Sequence, residues 1–163
     1  MGSLKDKVAI ITGSGSGIGR AAAILYAREG ARVVVSDINE QHGNAVVAEI
    51  SKAGGQAFFI KADTSKAEDN QNLVEQTVVK YGALHIAVNN AGIGGPLSTV
   101  ADYPIDGWQK VIDTNLSGVF YGLKYQIPAM LKSGGGSVVN IASILGAVGT
   151  KFSPAYVAAK HGV

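Results

Sequence analysis

Cysteine is absent from this sequence. That removes disulfides, thiolate nucleophiles and cysteine-ligated metal together, and it suits a reducing cytoplasm. Charge is also sparse: 16% of residues are charged, against about 25% in an average soluble protein. The net charge is +2, too weak a field to grip nucleic acid. Long hydrophobic runs are missing as well. After Lys5, Asp6 and Lys7 comes only the short apolar stretch at residues 8–11, far below the ~18 residues of a membrane span. The start Met1-Gly2-Ser3 resembles an acylation signal, but Asp6 stands where Ser or Thr is needed. His42, His85 and His161 lack metal-ligand spacing, so no metal is expected. These absences lead to the expectation of a cytoplasmic protein with no nucleic-acid and no membrane partner.

Glycine is the residue in excess, 22 in 163, nearly twice the usual ~7%. The glycines cluster at particular turns without a period, which excludes a collagen-like chain. A length of 163 residues against roughly 150 per domain makes residues 1–163 one expected domain. Short β-branched runs occur at residues 8–11, 33–35, 57–60, 86–88 and 138–142. Unbroken by polar residues except for Asn140 in the last, they suit strands buried on both faces of a parallel sheet.

Longer segments with helical spacing lie between these runs. Ile18, Ala21, Ala22 and Leu25 mark the first, and Val46, Val47 and Ile50 the second. Ser65-Lys66-Ala67-Glu68 reads as a capping box opening a third, with Leu73, Val74 and Val78 inside it. In the fourth, Trp108, Val111, Ile112, Leu116, Val119, Phe120 and Leu123 fall on one stripe. Gly134-Gly135-Gly136 makes a turn, and Ser153-Pro154 opens a fifth helix. Strand–helix alternation throughout predicts a doubly wound parallel α/β sheet, Rossmann-type with three αβα layers. Such a fold carries three strands per half, and the second half here has two. The chain is therefore expected to be truncated, with C-terminal strands missing.

The loop Thr12-Gly13-Ser14-Gly15-Ser16-Gly17-Ile18-Gly19 joins the first strand to the first helix. Glycines there allow positive dihedrals and close backbone approach to a phosphate, at the positive end of the helix dipole. A flexible turn is the alternative, but the strand–loop–helix context is the one a dinucleotide fingerprint requires. Asp37 ends the second strand about twenty residues on, where a carboxylate can take both hydroxyls of an adenosine ribose. A turn or helix-capping aspartate is the alternative, a role that Asn39 could equally fill. A carboxylate would repel a 2′-phosphate, and neither Ser16 nor Ile38 supplies a cation for one. The expected cofactor is NAD(H), not NADP(H).

Tyr156 and Lys160 stand four apart near a helix start and so share a face. An ammonium that close stabilises phenolate, the tuning a general acid–base needs. Ser143 follows the fifth strand's carboxyl end, where open α/β sheets place ligands, and its hydroxyl could hold a substrate oxygen. By spacing alone, an ordinary surface Tyr and Lys remain open. Asn115 sits within the apolar stripe, where a buried amide needs a partner.

With these motifs together, the chain resembles the short-chain dehydrogenase/reductase family over residues 7–163. Thr12-Gly13-x-x-x-Gly17-x-Gly19 matches its cofactor loop, and Asn89-Asn90-Ala91-Gly92 its signature after the fourth strand. Ser143 and Tyr156-x-x-x-Lys160 match its catalytic elements in order. The resemblance implies that Tyr156 exchanges a proton with the alcohol or carbonyl oxygen, and that Ser143 hydrogen-bonds that oxygen. It implies that Lys160 binds the nicotinamide ribose and tunes the tyrosine, while Asn115 positions a proton-relay water. Gly13, Ser16, Gly17, Ile18, Gly19, Asp37, Asp63, Thr64, Asn90, Ala91 and Gly92 would complete the cofactor site, Asp63 at the adenine amino group. The implied activity is NAD(H)-dependent interconversion of a secondary alcohol and a ketone in a homo-oligomer, dimer or tetramer. Members continue beyond the fifth helix, so a catalytically inactive dinucleotide-binding fragment is the alternative. A Ser-Lys hydrolase is disfavoured, because no Gly-x-Ser-x-Gly elbow surrounds Ser143.

Overall fold

A computed structural model describes residues 2–163. Five strands, β1 (Val8–Thr12), β2 (Arg32–Asp37), β3 (Gln56–Lys61), β4 (Ile86–Asn89) and β5 (Ser137–Asn140), form one parallel sheet in the order β3-β2-β1-β4-β5. β1 pairs with β2 on one side and β4 on the other. The winding therefore reverses between β1 and β4, and a crevice opens at their carboxyl ends. This is the doubly wound α/β fold that the strand–helix alternation predicts.

Side chains alternate across the central strands, so each face has its own core. Ala9, Ile11, Val33 and Val35 pack on one face with Ala23 and Ala27 of α1 (Gly17–Arg28) and Val46 and Ile50 of α2 (Glu40–Lys52). Ile10, Val34 and Ala87 face the other side. There they meet Leu73 and Val74 of α3 (Ala67–Tyr81) and Met130 of α5 (Gly118–Lys132). A smaller cluster of Val111, Ala155 and Ala159 joins α4 (Ile105–Ile112) to α6 (Pro154–Gly162).

Four local expectations need correction. The fifth strand stops at Asn140 and is half exposed rather than buried on both faces, because β4 alone pairs with it. On α1 the buried face is Gly19, Ala23 and Ala27, whereas Ile18 is 68% exposed and Leu25 is also exposed. Small residues bring this helix close to the sheet, and the larger ones turn outward. The capping box at Ser65 does not form. Lys66 is the N-cap without a side-chain bond, and the Ser65 hydroxyl instead donates to Asp63 Oδ1 at 2.7 Å.

The fourth helical segment is not one α-helix. A π turn at Asp113–Ser117 separates α4 from α5 and shifts the helical phase, leaving Trp108 and Phe120 exposed at its two ends. Ser153 does occupy the N-cap of α6 with Pro154 following, but its hydroxyl makes no capping bond. Among the described residues no helix is long and apolar enough to cross a membrane.

Candidate active site

Hydrogen bonds between loops shape the crevice. Thr12 Oγ1 accepts from the backbone N–H groups of Asn90 and Ala91, both at 3.1 Å. Asn90 Nδ2 donates back to the carbonyls of Thr12 at 2.9 Å and Gly13 at 3.1 Å. Ser14 Oγ, fully buried, donates to Ile11 O at 2.6 Å and accepts from Ser36 N at 3.0 Å. The ends of β1, β2 and β4 are thereby fixed to one another.

Two glycines here are required by geometry. Gly13 has φ +62°, and a Cβ there would lie 2.8 Å from the Cα of Ala91. A Cβ on Gly19 would strike the carbonyl of Gly13 and lie 2.6 Å from Asn90 Nδ2. Gly17, at φ +53°, has open space where a side chain would stand.

The resulting cleft has a volume of about 460 Å³. Gly13, Ser16, Gly17, Ile18, Asp37, Asp63, Thr64, Asn90, Ala91 and Gly92 line it. Of the residues expected to hold a cofactor, Gly19 is a packing position beneath the loop and not part of the wall. Ile38, Ala62, Ser65, Ile93, Lys110 and Thr114 line the cleft without having been anticipated. Most adjoin expected residues in sequence. Lys110 and Thr114 are four apart on the segment leading to Asn115, and that spacing was the available signal.

The carboxylate of Asp37 is anchored: Oδ2 accepts from Gly15 N and Oδ1 from Asn39 N, each at 2.9 Å. Asn39 itself caps α2, accepting from His42 N at 3.0 Å. The capping task therefore falls to Asn39 and leaves Asp37 facing the cleft. Asp63 Oδ1 accepts from both the N–H and the hydroxyl of Ser65.

Asn115, fully buried in the π turn, brackets one residue of the cleft wall. Its Oδ1 accepts from Ile93 N and its Nδ2 donates to Ile93 O, each at 2.8 Å. Lys160 is only 6% exposed, with Nζ donating to Ile141 O at 2.6 Å and lying 5.7 Å from the centroid of the Tyr156 ring. Burial pushes its ammonium below the ordinary lysine value. Tyr156 packs against the Val111–Ala155–Ala159 cluster. Ser143 Oγ accepts from Leu145 N at 3.2 Å, capping a 3₁₀ turn at Ile144–Gly146. Ser143, Tyr156 and Lys160 do not line the 460 Å³ cleft.

An open parallel sheet whose order reverses beside a glycine loop places this chain among the doubly wound α/β proteins, whose ligands lie at that crevice. More particularly, the chain belongs to the short chain dehydrogenase family, whose profile matches residues 7–163. It is 51% identical over 158 residues to a cyclohexanol dehydrogenase of Acinetobacter sp. (strain SE19), covering 97% of this chain and 63% of that protein. It is 44% identical over 163 residues to a 3beta-hydroxysteroid dehydrogenase of Mediterraneibacter gnavus, covering 100% of this chain and 59% of that protein. The crystal structure of levodione reductase superposes with a TM-score of 0.94 at 35% identity, over 98% of this chain and 62% of that one. The chain thus spans less than two thirds of the length of these relatives.

Proposed function

We propose that the chain carries the cofactor site and acid–base residues of an NAD(H)-dependent oxidoreductase that interconverts a secondary alcohol and a ketone. The anchored carboxylate of Asp37, facing a cleft roofed by the glycine loop, is the observation that carries this reading. The residues present fit a dinucleotide. Gly13 and Gly17 adopt positive φ at a helix N-terminus, and the missing side chain of Gly17 leaves open space. Asp37 would take the adenosine ribose hydroxyls and Asp63 with Thr64 the adenine end. Asn90, Ala91 and Gly92 would flank the second ribose.

When bound, the nicotinamide supplies the acceptor or donor of hydride. The chain's own residues do the rest. Tyr156 would take the alcohol proton during oxidation or return it during reduction, and Ser143 would hydrogen-bond the same oxygen. Lys160 retains two ammonium hydrogens beyond the one given to Ile141 O, free for ribose hydroxyls. Asn115 keeps one hydrogen on Nδ2 and one lone pair on Oδ1 for a relay water.

The names of the relatives, a cyclohexanol and a hydroxysteroid dehydrogenase, support an alcohol as substrate. We further propose a cytoplasmic homo-oligomer. Calorimetric titration with NAD⁺, joined to alcohol-dependent NADH formation, tests the whole reading. Tyr156→Phe should leave NAD⁺ affinity within about threefold while lowering turnover by 10²-fold or more, the range of general acid–base catalysis. Turnover within tenfold of the parent would refute the role of Tyr156.

A further inference from the structure

We propose that Gln126 is a positioning residue for Lys160, acting through Asn89 and Asn140. The inference rests on the proposed role of Lys160 in holding the cofactor. Gln126 is 1% exposed on α5, eleven residues after Asn115 and not itself assigned to the chemistry. It forms a reciprocal amide pair with Asn89: Gln126 Nε2 donates to Asn89 Oδ1 at 2.8 Å, and Asn89 Nδ2 donates to Gln126 Oε1 at 3.1 Å. Asn89 Nδ2 also donates to Asn140 Oδ1 at 2.9 Å. Gly122, one turn back on α5, leaves the room this pair needs, since a Cβ there would lie 2.9 Å from Asn89 Oδ1.

The next link is the backbone. Asn89 O accepts from Ile141 N at 3.0 Å, so Asn89 grips Asn140 by its side chain and Ile141 by its main chain. Ile141 O is in turn the acceptor for Lys160 Nζ. β5 is a four-residue edge strand paired on one side only, so beyond the packing of the Ile141 side chain on the core, the Asn89 contacts fix the direction of that carbonyl. The same segment carries Ser143 two residues on. In this buried amide pair each nitrogen and each oxygen is bonded, so rotating either amide strands a polar group at a cost of about 1–3 kcal/mol. Gln126 thereby fixes Asn89, Asn89 fixes the end of β5, and that end fixes the ammonium.

The test labels lysines in the full 163-residue chain with limiting formaldehyde and borane at pH 8, reads each site by peptide mass spectrometry, and titrates NAD⁺ by calorimetry. Gln126→Met should raise Lys160 labelling at least fivefold and weaken NAD⁺ binding at least fivefold, with Lys110 and Lys132 labelling unchanged. Asn140→Ala, at a partly exposed edge position, should act in the same direction and decides the matter if Gln126→Met fails to fold. The double variant should exceed neither single by more than twofold. Val74→Ala, a cavity in the neighbouring core, controls for general loosening and should leave Lys160 labelling as in the parent. Parental labelling in both amide variants, additive rises in the double, or an equal rise in Val74→Ala would overturn the proposal. A parent chain that binds no NAD⁺ would instead overturn the cofactor reading, while the labelling arm would still decide the role of Gln126.

Discussion

Replacing Asp37 offers the most informative perturbation, because one carboxylate is assigned both an attraction and a repulsion. A hydrogen bond to a charged group contributes about 1.5–3 kcal/mol. NADP⁺ forfeits at least one such bond, since its 2′-hydroxyl is esterified. It also sets a phosphate beside a carboxylate whose position is fixed by Gly15 N and Asn39 N. Two like unit charges about 4 Å apart repel by about 1 kcal/mol in water and about 4 kcal/mol at a surface-like dielectric. The lower bounds together give about 2.5 kcal/mol, so NAD⁺ should bind well over tenfold more tightly than NADP⁺. Asp37→Asn keeps an oxygen for Gly15 N while removing the charge, and should bring the two affinities within about fivefold. Asp37→Ala should narrow the gap too, with a further loss of NAD⁺ affinity as the loop loosens. Calorimetric titration of both cofactors, at low and high salt, measures each quantity. Equal affinities in the parent chain, or an unchanged ratio in Asp37→Asn, would refute the assignment.

Gly19→Ala should lower stability by about 1–3 kcal/mol, an overpacking cost, because the new methyl meets the Gly13 carbonyl and Asn90 Nδ2. A melting temperature unchanged within a degree in differential scanning calorimetry would contradict it. His85 should make stability fall on the acid side. Its Nδ1 accepts from Val8 N at 3.0 Å, and burial, with Lys7 and Arg32 nearby, holds its pKa below the ordinary 6.5. The native state resists protonation, so the contribution is complete above pH 6.5. It is lost as pH drops from there through the folded value. Urea unfolding at pH 7.5 and 5.0 should show a drop of at most about 2 kcal/mol, the limit for one imidazole whose unfolded value is 6.5. His85→Gln, which keeps an acceptor without titrating, should remove most of it.

The strands were legible because β-branched runs bounded by glycine or Asx have few other uses in a chain of this composition. β5 was over-extended for a local reason: Ile141 and Ala142 are as apolar as the strand, but they lie past the last pairing with β4. The inward face of α1 was misread because hydrophobic periodicity favours large residues, whereas close packing on a sheet selects Gly19, Ala23 and Ala27. Nothing in a stripe of apolar residues separates a helix of constant pitch from one carrying a π turn, so the break at Asp113–Ser117 was not readable. The cleft was read more fully than the fold details, since loop glycines and Asp37 are tied to it by sequence context. Whether Asp37 or Asn39 capped α2 needed coordinates, because both sit within reach of the helix start.

The π turn has a consequence for how this chain tolerates changes in length. An α-helix advances 100° per residue, so an extra residue would rotate everything after it by about that angle unless a wider turn absorbs it, as the π turn does. α4 and α5 are thus two gears on one shaft, meshed to different partners. Val111 before the turn engages α6, while Gly118, Gly122 and Gln126 after it engage Thr64 and Asn89. Removing a single residue between 113 and 117 would restore an even pitch and leave α5 facing Asn89, but it would dismantle the wide turn that holds Asn115 against Ile93. Losing one glycine from 134–136 would merely shorten an exposed turn. The two deletions differ by about twenty residues in position and, in effect, by the anchor of the cleft wall at Ile93.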